Sequence, residues 1–279
     1  MIIPSEIYFI YLGFFFLLGL CLGSFANVCI YRMPLDLSII RPRSSCTKCK
    51  KQIAWYDNIP VFSYICLGGK CRYCKDKISA IYPLVELITG ISFALLFISY
   101  GFSIPFLLFI FMAFCLIVIS GIDLYYQIIP DIFPLMLAVA GVLFSFFNTT
   151  LGSSYLERLI NSLIGLVSGG GSLLLIGIIG QFIFKKEAMG GGDVKLMAGI
   201  GAIIGWDKVL FAIFFASLLG SISGLALIVS KKIDKRGYLP FGPFLALASY
   251  VTLFLPAPAV LINLFFDWEV KIIAKFFGA

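Results

Sequence analysis

Two groups of residues in this 279-residue chain have the types and spacing that chemistry needs. The first is Met189-Gly190-Gly191-Gly192-Asp193-Val194-Lys195, a carboxylate on a glycine hinge between two apolar stretches. Charge at membrane depth is expensive, so an ionisable group there points to function. Three glycines remove side-chain bulk and let another backbone approach Asp193 closely. The structural alternative is an aspartate that caps the next helix. A second carboxylate, Asp123, ends another apolar run, where the helix dipole opposes negative charge. The chain has no histidine. Ser-His and Cys-His catalysis and histidine metal sites are therefore excluded. Acid–base chemistry falls to carboxylates, Lys, Tyr or Cys.

The second group is Cys46-Thr47-Lys48-Cys49, then 21 residues, then Cys71-Arg72-Tyr73-Cys74. Two such pairs, each on a tight turn, place four thiolates tetrahedrally around Zn²⁺. Four protein ligands close the coordination sphere, so the expected metal is structural. The loop has few apolar residues, and a metal supplies the folding energy they do not. Cys66 lies outside the pairs and is not expected to ligate. Cys21, Cys29 and Cys115 fall in apolar runs and read as small packing residues.

The elements that must position these groups are membrane helices. The chain is 61% hydrophobic and 13% charged, with a mean hydropathy of +1.06. Such a composition belongs to a polytopic membrane protein. The expected fold is all-α, with about eight transmembrane helices and one cytoplasmic zinc-binding loop domain after the first. The first apolar run, 7–30, is longer than a signal-peptide core and lacks a small-residue cleavage site, so it reads as a retained span. The others are expected near 83–100, 102–121, 134–147, 159–184, 194–205, 209–230 and 238–255. Asn27 near the end of the first span suits an interhelical hydrogen bond. Glu86 and Asp131 suit helix N-termini. Gly169-Gly170-Gly171 implies a close helix contact or a kink, and residues 148–157 read as a short polar loop. Residues 256–279 read as an apolar interfacial segment.

The net charge is +7, from 21 Lys+Arg against 14 Asp+Glu. Its distribution reads as a topology signal, not a nucleic-acid surface. Segment 32–80 carries ten basic residues against Asp36, Asp57 and Asp76. Alternating spans from an outside N-terminus put every basic residue except Arg158, Lys208, Lys271 and Lys275 on one face. By the positive-inside rule that face is cytoplasmic, and Asp123 and Asp193 lie on it with the cysteine loop. A reducing cytoplasm argues against disulfides between the pairs.

Several motifs, in order, resemble the type IV prepilin peptidases, a family of GxGD-type membrane aspartyl proteases. They are Gly23-Ser24-Phe25-Ala26-Asn27-Val28 with Arg32 and Pro34, and the cysteine pairs with Trp55-Tyr56-Asp57-Asn58-Ile59-Pro60, Ser63-Tyr64 and Gly69-Lys70 between them. Ile78-Ser79, Tyr82-Pro83, Val85-Glu86, Asp123 with Pro130-Asp131, and Gly190-x-Gly192-Asp193 complete the match. Thr47 stands where a proline is common, and Ala80 where a basic residue is common. The resemblance implies catalytic Asp123 and Asp193, with Gly190, Gly192 and Lys195 as the motif around the second. It implies cleavage of a short basic leader after a glycine, at the cytoplasmic edge of the apolar segment of a prepilin or type II secretion pseudopilin. It also implies methylation of the new N-terminus by S-adenosylmethionine, in the bacterial inner membrane.

Two carboxylates within hydrogen-bond distance share one proton, because both cannot easily stay ionised. One activates water while the other protonates the peptide carbonyl or leaving amine. A division follows: first helix 1–31, cysteine domain 32–80, helical protease core 81–255 and C-terminal segment 256–279. Two alternatives stand beside this reading. A peptidase without methylation, resembling preflagellin or presenilin-type enzymes, would generally lack the cysteine domain. A transporter or scaffold with a zinc-stabilised loop would carry its polar residues at mid-membrane. The residues do not locate the S-adenosylmethionine site or set the oligomeric state.

Overall fold

The structure, a computed structural model, describes residues 5–185, 189–230 and 239–256. Its helices are α1 (Ser5–Arg32), α2 (Phe62–Cys66), α3 (Ile81–Tyr100), α4 (Ile104–Tyr126), α5 (Ile132–Leu143), α6 (Tyr155–Phe184), α7 (Gly191–Ile204), α8 (Trp206–Val229) and α9 (Gly242–Thr252). Among the described residues the extended pairing is confined to two isolated antiparallel bridges, Ser45 with Gln52 and Lys70 with Lys77. The protein is all-α, as its composition implies.

Apart from α2, a helix stands at each of the eight expected positions. Five of them, α1, α3, α4, α6 and α8, are long and apolar enough to cross a membrane. The other three are short: α5 has 12 residues, α7 has 14 and α9 has 11. About 20 residues are needed to span the hydrocarbon core. Among the described residues, then, five helices have spanning length and composition, and three shorter helices stand at the other expected positions. The segments 231–237 and 257–279 and the residue Lys186 fall outside the described residues.

The chain divides into two compact units, Met1–Phe133 and Pro134–Ala279. In the first, α1 and α3 run against each other through residues spaced by four. A Cβ on Gly19 would meet the Gly90 backbone at 2.7 Å, and one on Gly23 would meet the Glu86 Cα at 2.6 Å. One step further, the Asn27 side-chain amide donates to the Tyr82 carbonyl at 3.0 Å. This is the interhelical bond its position called for. With lipid as apolar as any side chain, close backbone approach is what drives such pairs together. Phe15, Phe97 and Phe106 pack ring against ring between α1, α3 and α4, at 4.7–5.8 Å. Cys29 and Cys115 are buried here as expected, while Cys21 is exposed.

The second unit repeats the device. Gly165 and Gly169 of α6 lie against the carbonyls of Gly201 and Met197 of α7, leaving no room for a Cβ. Gly171 faces open space. Of the glycine triplet, Gly169 and Gly170 both lie too close to α7 for a Cβ, and α6 passes through all three unbroken. The Ser162 hydroxyl donates to the Ala202 carbonyl at 2.7 Å. Residues 148–157 are more ordered than a polar loop. Asn148 is 1% exposed and donates to the Ile203 carbonyl at 2.8 Å. Arg158 donates to the carbonyls of Phe146, Gly152 and Ser153. A capping box, Ser154 with Glu157, starts α6 four residues ahead of the expected boundary.

Candidate functional site

The cysteine segment is two copies of one turn. Cys46 N–H donates to the Lys51 carbonyl at 2.9 Å, and Lys50 N–H to the Cys46 carbonyl at 2.9 Å. Twenty-five residues on, Cys71 N–H donates to the Asp76 carbonyl at 2.8 Å, and Lys75 N–H to the Cys71 carbonyl at 3.0 Å. Lys50 and Lys75 both take the left-handed conformation, φ 58° and 59°, which turns the chain back after each pair. The four Sγ atoms lie within 4.8 Å of one another. Cys46, Cys49, Cys71 and Cys74 are therefore positioned to hold one metal ion, and Cys66 is not among them.

Charges tie the two turns together. Lys48 Nζ meets Asp76 Oδ1 at 2.8 Å, and the Lys51 ammonium lies 4.9 Å from the Tyr73 ring centroid. Arg72 grips Asp57 with two hydrogen bonds of 2.6 and 2.7 Å, and its guanidinium lies over Tyr56. The Arg72 bond holds the Asp57 carboxyl below the usual carboxylate range, and Lys48 does the same for Asp76. Among the sulfurs, the Cys49 and Lys48 backbone N–H groups bring the Cys46 thiol down to about 6. Cys74 goes the other way. The Asp76 N–H favours its thiolate, but loss of water and the neighbouring sulfurs push it up to about 11. One readily formed thiolate among crowded thiols is a donor set that a divalent cation completes.

The carboxylates are placed one in each unit. Asp123 is 6% exposed and lies in the last turn of α4, which runs on to Tyr126 instead of ending at Gly121. Gln127 closes the helix in the left-handed conformation by donating to the Asp123 carbonyl at 3.0 Å. Gly121 lets Ile30 of α1 pack directly against α4 two residues before Asp123. Asp131 stands immediately before α5.

Asp193 lies in the first turn of α7. Gly190 is the N-cap, and Gly191 and Gly192 are helical, so the glycines open a helix where a hinge loop was expected. Asp193 N–H donates to the Gly190 carbonyl at 3.1 Å. A Cβ on Gly190 would come within 3.3 Å of Asp193 Oδ2. A side chain at position 190 would crowd that carboxylate. Lys195 is exposed two residues later.

Glu86 differs from its expected role. It is 8% exposed, and its Oε2 accepts the Val61 N–H at 2.7 Å. The partner lies 25 residues away in the cysteine segment, and no local pattern announces it.

Apolar helices of spanning length, a four-sulfur loop between the first two and carboxylates at helix ends define a multi-pass membrane protein with a metal-holding loop. Residues 17–100 match the bacterial peptidase A24 N-terminal domain, and residues 109–225 match the type IV leader peptidase family. Three curated relatives carry the name prepilin leader peptidase/N-methyltransferase. The one from Myxococcus xanthus is 37% identical over 217 residues, covering 78% of this chain and 63% of the relative. That from Pseudomonas aeruginosa is 32% identical over 260 residues, covering 85% and 88%. That from Bacillus subtilis is 32% identical over 238 residues, covering 85% and 92%. No solved structure gives a significant match. The chain belongs to the type IV leader peptidase family.

Proposed function

We propose that this protein cleaves the short basic leader from type IV prepilins or type II secretion pseudopilins and methylates the new N-terminal amine. The observation that carries the reading is Asp123. A carboxylate 6% exposed in the last turn of an apolar helix is costly by burial and opposed by the helix dipole, and an ionisable group kept at membrane depth points to function. Asp193, in a first turn opened by three glycines, is its proposed partner. One carboxylate takes a proton from the attacking water while the other donates to the peptide carbonyl and then to the leaving amine. The proton belongs to the pair, so neither residue is assigned permanently as acid or base. Gly190 and Gly192 leave room for an extended substrate backbone, and exposed Lys195 marks the edge of the site.

The metal is proposed to be zinc, held by Cys46, Cys49, Cys71 and Cys74. A tetrahedral zinc–thiolate site, with bonds near 2.3 Å, has sulfurs about 3.8 Å apart, and Cys46 and Cys74 are separated by that distance. Four thiolates leave no open position, so the ion's contribution is folding. S-adenosylmethionine is proposed as methyl donor, because relatives carry the N-methyltransferase name. Methyl transfer needs a neutral amine in line with the sulfonium methyl and little else. It is therefore assigned to the loop 32–80, apart from the two aspartates. The proposed orientation has the N-terminus outside and the loop and both aspartates on the cytoplasmic face of the bacterial inner membrane. The functional division is 1–31, 32–80, 81–255 and 256–279.

The test is purified protein with a peptide carrying a basic leader, a glycine and an apolar segment, with and without S-adenosylmethionine, read by mass spectrometry. The expected result is leader release in both samples and a mass gain of one methyl only with the donor. An intact peptide would refute the peptidase.

A further inference from the structure

The link between Glu86 and Val61 joins the cysteine loop to the membrane helices within the first unit. Val61 has φ 60° and ψ −50°, and Phe62 N–H donates across it to the Pro60 carbonyl. That makes Val61 the centre of a positive-φ γ-turn, a rare and strained geometry, and a β-branched residue is a genuine outlier there. Such strain persists only where the surroundings over-determine it. What holds it is Glu86: its Oε2 takes the Val61 N–H at 2.7 Å, and the Ser24 hydroxyl of α1 bonds the same carboxyl group. Gly23, packed against the Glu86 Cα, brings α1 close enough for this.

From the turn, contacts run to the metal-holding sulfurs. Ser63 donates to the Tyr56 carbonyl at 2.9 Å. Asp57, next to Tyr56, holds Arg72, which lies between Cys71 and Cys74. A buried membrane-helix carboxylate is thus committed to the position of a loop turn.

We propose that Glu86 is a positioning residue for methyl transfer, acting through the Val61 turn to set the cysteine loop on α1 and α3. This rests on the reading that methyl transfer depends on the loop. Glu86→Met keeps the volume and removes the acceptor. Glu86→Gln keeps an amide oxygen that accepts the same N–H. Val61→Gly removes the strain, because glycine takes positive φ at little cost.

The experiment uses the full-length protein in lipid nanodiscs and measures metal content, hydrogen exchange over 59–66, leader cleavage, and methyl transfer to a pre-cleaved peptide. Glu86→Met is expected to retain its metal, exchange faster over 59–66, and lose about ten-fold in methyl transfer, with cleavage within about two-fold. Glu86→Gln is expected to recover most of the transfer, and Val61→Gly in the Glu86→Met background part of it. Unchanged exchange in Glu86→Met overturns the proposal. So does loss of metal, or an equal fall in both activities. If the unmutated protein transfers no methyl, the methyltransferase reading fails, and the exchange data alone still decide the link.

Discussion

The Sγ atoms of Cys46 and Cys74 stand 3.8 Å apart, though 28 residues separate them. That separation is an edge of the tetrahedron four thiolates make around zinc. About one zinc per chain is therefore expected by mass spectrometry of the purified protein. Cys49→Ser is expected to release it and open segment 32–80 to trypsin, since metal binding there is folding energy. Full occupancy in that variant would disprove the four-thiolate site.

Arg72 and Asp57 give the loop an acid-sensitive component. Asp57 titrates lower in the folded loop than its ordinary value of about 3.9. Its contribution is therefore present above about pH 4 and lost as pH falls through the depressed value. Arg72→Met is expected to weaken the loop's protease resistance modestly at neutral pH, because Arg72 is half exposed and solvent screens the pair. The protease resistance of the two proteins should converge as pH drops below 4. A gap that stays constant to low pH would mean Arg72 acts by packing on Tyr56.

Asp123→Asn and Asp193→Asn are each expected to abolish leader cleavage while the protein inserts normally, because one carboxylate cannot do both proton jobs. Asp131→Asn is expected to be mild, since asparagine caps a helix about as well. An active Asp123→Asn beside a dead Asp131→Asn would reverse the assignment. Asp193→Asn is further expected to methylate a pre-cleaved peptide, and failure there would place both reactions in one site.

Helix packing in the second unit makes a sharp distinction among glycines. Gly201→Val drives a side chain into the Gly165 carbonyl and is expected to destabilise by about 1–3 kcal/mol. Gly171→Ala meets open space and is expected to be neutral or slightly stabilising. Thermal unfolding in detergent separates the two, and equal effects would contradict the α6–α7 register.

The readings that held rest on short-range physics. A C-x-x-C pair makes its turn locally, and two pairs within one loop need only a closing contact to meet. Apolar run length placed a helix at each expected position, because the apolar solvent selects helices wherever a run is long enough. It did not set the length of each helix: α5, α7 and α9 are apolar but have fewer than the roughly 20 residues of a full span. Helix ends slipped for the same reason. Asp123 falls inside α4 and Asp193 inside α7 because capping geometry, not hydropathy, sets the terminus.

By itself, the sequence of this chain determined its solvent, its helical class, its four-sulfur frame and the two aspartates worth testing. All of these follow from residue type and spacing within a few turns of chain. Tertiary structure alone decided that Glu86 serves Val61 instead of its own helix end. It also decided that Asn148 reaches Ile203 across 55 residues, and that Gly165 faces Gly201 while Gly171 faces nothing. Each depends on the register between two elements. Register is set by many simultaneous close contacts, and no local pattern carries it.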